Sequence, residues 1–112
     1  MTIIDNLLRL VDGPRDGALL RFSLGNELIK ANDFARAALH LRIAVEKDPQ
    51  YSAAWKLLGK ALSTAGKPDE ALTAYRQGIV VAEAKGDIQA AKEMKVFARR
   101  VARQITSGDE PA

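Results

Sequence analysis

The feature that most constrains this chain is an internal repeat. With Ala18 set over Ser52, an offset of 34 residues, Leu24-Gly25 falls on Leu58-Gly59 and Leu28 on Leu62. Ala37 then falls on Ala71 and Leu41 on Tyr75, while Arg21 falls on Trp55, a mismatch. A unit of this length cannot bury its apolar face alone, so neighbouring units must stack and share a core.

Each unit reads as helical. Aromatic residues make up only 5% of the chain, whereas alanine, the best helix former, occurs nineteen times. Apolar residues recur at helical spacing nearly throughout, and alternating β-branched runs are missing. Turn signals at Asp12-Gly13-Pro14, Ala31-Asn32-Asp33, Asp48-Pro49, Ala65-Gly66-Lys67-Pro68 and Lys85-Gly86-Asp87 divide the chain into six helical segments. The spacing predicts helices over 3–11, 17–31, 34–47, 52–65, 68–85 and 87–105, and a polar, disordered tail over 106–112. The first carries the stripe Ile4, Leu7, Leu8 and Val11. The last carries Ile88, Ala91, Met94, Ala98, Val101 and Ile105. Connections this short force antiparallel neighbours.

The period, with Trp55-x2-Leu58-Gly59, Leu62, Gly66, Ala71 and Tyr75 in one unit and Leu24-Gly25, Leu28, Phe34, Ala37, Leu41, Ala44 and Pro49 in the other, resembles the tetratricopeptide repeat. The resemblance covers 18–85. It implies an all-α superhelix of helical hairpins, with repeats at about 18–51 and 52–85 flanked by capping helices, in a single domain over 1–105. The physics fits: Gly25 and Gly59 stand where the two helices of a unit cross closely, with Ala37 and Ala71 small for the same reason. Pro49 stops the helix before it. The pattern departs at Glu83, where the family places Pro, and at Gly78, where it places Ala. No Leu-Gly signature follows at the next 34-residue offset, so the helix over 87–105 reads as a cap.

The family resemblance also implies a groove, because the first helix of each repeat lines a concave surface that receives a peptide or a partner helix. On that basis the groove residues are Leu19, Phe22, Asn26 and Ile29 in one repeat and Ala53, Lys56, Lys60 and Ser63 in the next. One wall is apolar and the other basic, which suits an acidic partner with an apolar anchor. A carboxylate clamp is not expected, since Phe22 and Leu57 occupy positions where clamp members place Lys and Asn.

Nothing else in the chain points to chemistry. There is no cysteine, which excludes disulfides and thiolate metal sites and fits a reducing, cytoplasmic setting. The single histidine, His40, has no companion at ligand spacing. Asp69-Glu70 sits at a helix start, where carboxylates complement the dipole, and Gly13-Pro14-Arg15-Asp16-Gly17 lacks the Gly-Lys-Ser/Thr of a phosphate loop. No enzyme, cofactor or metal is expected. No apolar run is long enough to span a membrane, and the N-terminus lacks a signal-peptide pattern. The net charge is +3. Lys92, Lys95, Arg99, Arg100 and Arg103 make the last helix basic, but no aromatic residues interleave with them as single-strand nucleic-acid binding favours. The expected function is therefore a protein-interaction module or scaffold. The alternatives left open are weak self-association and weak binding of nucleic acid or an anionic surface through the basic helix.

Overall fold

A computed structural model describes residues 1–109. Six helices follow one another: α1 (Ile3–Leu8), α2 (Ala18–Lys30), α3 (Phe34–Lys47), α4 (Ser52–Thr64), α5 (Pro68–Ala84) and α6 (Ile88–Asp109). No strand occurs among the described residues. Each helix from α2 onward packs on the next, α2 also touches α4, and α4 also touches α6. The molecule is thus a short superhelix of antiparallel hairpins.

The turns repeat as faithfully as the helices. Asn32, Gly66 and Gly86 each adopt a positive φ of 61°, 81° and 75°. In each case the following amide closes back on the helix before it: Asp33 N donates to Leu28 O at 2.8 Å, Lys67 N to Leu62 O at 2.9 Å, and Asp87 N to Ala82 O at 2.8 Å. This is the left-handed C-terminal closure that satisfies carbonyls the helix leaves free. It turns the chain back sharply and makes the hairpins antiparallel.

The hairpins close at the glycines. A Cβ on Gly25 would collide with the Leu41 side chain, and one on Gly59 with the Tyr75 ring. Leu24, Leu28, Leu41, Leu58 and Met94 form the largest fully buried side chains, interleaved with buried Ala37, Ala44, Ala54, Ala61, Ala71 and Ala82. Alternating leucine and alanine lets the helices interdigitate at short separation.

The boundaries differ from expectation mainly at the two ends. α1 stops at Leu8, and residues 9–13 form turns that bring Asp16 to the start of α2. None of the α1 residues is buried. α6 continues helical to Asp109, so helix replaces the expected disordered tail over 106–109, and the rest of that tail lies outside the described residues. Within the α6 stripe, Ala91, Met94 and Val101 are buried but Ile88 is 66% exposed. The reason is geometric. Each backward step of three residues falls about 60° short of a full turn, so the line from Met94 through Ala91 has rotated off the core by Ile88.

The mismatch at Arg21 also has a structural answer. Where Trp55 packs half-buried in the second unit and donates its indole N–H to Pro49 O at 2.7 Å, Arg21 is only 7% exposed. Its Nε and Nη2 donate to the two carboxylate oxygens of Asp16 at 2.8 and 2.7 Å. Its Nη1 lies 3.1 Å from His40 Nδ1. Arginine can only donate, so His40 Nδ1 accepts and the imidazole is neutral. Asp16 also accepts the Asp12 amide at 2.8 Å. The cluster ties the α1–α2 turn to α2 and α3 in place of the tryptophan.

Two predictions follow from these contacts. Gly25→Ala overpacks the α2–α3 seam and lowers unfolding free energy by about 2 kcal/mol in urea denaturation. Gly17→Ala, where nothing lies within 4 Å, leaves it nearly unchanged. The Arg21 cluster also sets a pH profile. The Arg21 fork holds the Asp16 carboxyl down at about 2, and burial beside the Arg21 cation lowers the His40 imidazole below its usual 6.5. Below pH 6.5 the unfolded chain takes up the His40 proton more readily than the folded one, so stability falls as pH drops through that window. It falls again as pH drops from about 4 towards 2 and Asp16 protonates. Urea midpoints measured across pH show both declines, and His40→Gln removes the upper one.

Candidate functional site

α2, α4 and α6 form an inner row, each touching the next. The eight groove residues named from sequence divide between two places on it. In α2, Leu19 is 69% exposed. Phe22 is half-buried and stacks on the Tyr51 ring at a centroid distance of 4.9 Å, fastening the start of α4 to α2. Ile29 is half-buried against the core and Asn26 is half-buried. In α4, Ala53 and Lys60 are exposed, while Lys56 and Ser63 are half-buried.

Three of the eight, Lys56, Lys60 and Ser63, come together around a cleft of about 380 Å³, which Leu57, Thr64, Tyr75 and Phe97 complete. Leu19, Phe22, Asn26, Ile29 and Ala53 do not line it. The floor is apolar: Tyr75 and Phe97 rings lie tilted against each other at 5.8 Å, beside Leu57. The rim is polar and basic. Lys56 donates to Glu93 Oε2 at 2.6 Å, so its charge is already matched. Gln89 donates to the other Glu93 oxygen at 3.2 Å, and these bonds, the one from Lys56 foremost, hold the Glu93 carboxyl below its usual value. Lys60 has no ion-pair partner among the described residues. The Arg100 guanidinium lies over the Phe97 ring, 5.8 Å from its centre.

The floor residues come from three helices, Leu57 from α4, Tyr75 from α5 and Phe97 from α6. Gly59 admits the Tyr75 ring between α4 and α5, and burial pushes the Tyr75 phenol up to about 12. It therefore stays neutral, an uncharged part of the floor. Phe97 comes from α6, which sequence reasoning set apart as a cap. α6 packs on α5 and touches α4, as α4 packs on α3 and touches α2. α6 holds the position of a third inner helix, two residues later than the 34-residue period puts it. With that shift Met94 takes the place of Leu58 and Leu24, and Ala98 the place of Leu62 and Leu28. The delay arises in α5, which has 17 residues against 14 in α3 and carries Glu83 where a proline would stop it. Among the described residues no three His, Asp or Glu side chains gather to hold a metal ion, and no helix is long and apolar enough to cross a membrane.

Stacked antiparallel hairpins sharing one core, with glycines at the crossings and an inner row of α2, α4 and α6, define a helical-repeat solenoid. A sequence model described as tetratricopeptide repeat matches residues 22–88, and the chain belongs to the tetratricopeptide repeat family. It is 48% identical over 104 residues to TPR repeat-containing protein PA0015 of Pseudomonas aeruginosa, covering 93% of this chain and 99% of that one. It is also similar to the solution structure of protein BPP2914 from Bordetella parapertussis, with a TM-score of 0.77, 40% identity and coverage of 93% and 90% of the two chains. The crystal structure of a tetratricopeptide repeat domain protein from Salinibacter ruber superposes with a TM-score of 0.70 at 28% identity, covering 76% and 96%. The fold is in general a non-enzymatic protein–protein interaction module.

Proposed function

We propose that this protein is an interaction scaffold that seats a short segment of a partner protein in the cleft between α4 and α6. One observation carries the reading: an apolar floor of Leu57, Tyr75 and Phe97 under a rim where Lys60 presents positive charge. An aliphatic or aromatic side chain of the partner enters the floor, and a neighbouring carboxylate reaches Lys60. The α2 residues Leu19 and Asn26 extend the same concave side and guide the remainder of the segment. Three inner helices give a short groove, so the affinity for one peptide falls in the micromolar range or weaker. A cysteine-free chain of this kind suits a reducing compartment such as the cytoplasm.

Affinity purification with wild-type, Lys60→Glu and Phe97→Ala baits tests this. The partner recovered by wild type is lost with Lys60→Glu, and strongly depleted with Phe97→Ala at a temperature where circular dichroism shows that variant folded. Partner recovery unchanged by both substitutions would place the binding elsewhere.

A further inference from the structure

The cleft uses one side of α6. Lys95 and Arg99 stand two residues on either side of Phe97, so helical geometry turns them to the opposite side. There α5 and α6 form a second, shallow groove of about 310 Å³ lined by Leu72, Arg76, Lys95, Ala98, Arg99 and Ala102. Its place in the fold is informative. With α6 two residues late, Lys95 and Ala98 hold the positions of Gly59 and Leu62 in α4 and of Gly25 and Leu28 in α2. Through those positions α4 receives α5 and α2 receives α3: Gly59 meets Tyr75, and Gly25 meets Leu41. The α5–α6 groove is therefore the face on which the outer helix of a third unit would lie, and none of the described helices covers it.

The internal repeat also shows what charge a helix there brings. One unit earlier, Arg42 of α3 pairs with Glu70 in the first turn of α5 at 3.3 Å. Arg76 is the counterpart of Arg42 on α5, 34 residues on, and it lines the empty face. Neither Arg76 nor Arg99 has an ion-pair partner among the described residues, and Lys95 is held by Glu83 at 3.1 Å. Lys92 and Arg103, also exposed, add to the positive field of α6.

We propose that the α5–α6 groove docks a helix of a partner protein that is acidic in its first turn, with a carboxylate meeting Arg76 as Glu70 meets Arg42. Leu72, Ala98 and Ala102 give the incoming helix an apolar floor, which a nucleic-acid phosphate backbone has no group to occupy. Lys95 stands where a glycine lets α5 approach closely, so the docked helix rides farther out than a regular repeat helix. The contact is small and its affinity micromolar. This surface is separate from the concave cleft and can be occupied at the same time.

The test uses a fluorescein-labelled synthetic peptide with the sequence of residues 66–86, the α5 segment, bearing Tyr75→Ala to leave room for Lys95. Titrated against the full chain by fluorescence anisotropy, it binds saturably at micromolar concentration. Arg76→Glu in the protein weakens binding about tenfold or more, and Glu70→Arg in the peptide restores it. Arg76 is exposed, so an unchanged thermal midpoint verifies that the variant is folded. Absence of saturable binding, or binding indifferent to Arg76→Glu, overturns the proposal. So does stronger, steeply salt-dependent binding of duplex DNA or phosphatidylserine vesicles through Arg76 and Arg99. A dimer of the chain alone in sedimentation that Arg76→Glu dissolves would make the occupant a second copy and equally overturn it.

Discussion

Everything in this molecule depends on helices approaching closely enough to leave no room for a methyl group. Gly25 against Leu41, Gly59 against Tyr75 and Gly78 against Met94 are three such contacts, one at each of the α2–α3, α4–α5 and α5–α6 seams. At Gly78 an added Cβ would lie 2.5 Å from Met94 Sδ and 2.8 Å from Trp55 Cβ. Each glycine admits a bulky side chain of the neighbouring helix. A small domain without disulfides obtains its core in this way, from leucine and alanine packed at short range. The same contacts position the concave cleft, because the Tyr75 ring that Gly59 admits is also its floor.

Much of this was legible in the residues. The 34-residue register, the Leu-Gly pairs and the glycine and asparagine turns place α2 to α5 to within a residue or so of where they lie. What escaped did so for identifiable physical reasons. α6 falls out of the period because α5 runs past the point where a proline would end it, so a fixed offset compares the wrong residues. Read two positions later, Ala91, Met94 and Ala98 fall under Trp55, Leu58 and Leu62. That shifted pattern was the signal for a third inner helix, and hence for Phe97. The Arg21 cluster was illegible for another reason. Asp16, Arg21 and His40 lie on a turn and two helices, and only the fold brings them together. Their residue types suggest a solvated surface until burial shows a hydrogen-bonded substitute for tryptophan.

Of the eight groove positions carried over from the family pattern, Lys56, Lys60 and Ser63 of α4 face a formed cleft, whereas Ala53 does not line it and Phe22 is engaged with Tyr51. The difference follows from neighbours. Lys56, Lys60 and Ser63 lie between two inner helices, and α6 supplies the far wall. α2 has only the short α1 and its turn beyond it, so its exposed residues border an open surface. α6 thus does more than cover the core: one side completes the cleft, and the other leaves a basic groove where a further outer helix would stand.

The register of α6 fixes both the cleft and the α5–α6 groove. Nuclear Overhauser contacts in a sample with labelled methionine methyls and aromatic rings read it directly. The register described here requires contacts from the Met94 methyl to Gly78 Hα and from the Phe97 ring to the Tyr75 ring. Contacts that instead bring the Lys92 side chain against Gly78, as the unshifted 34-residue period would, with Phe97 free in solvent, would contradict it.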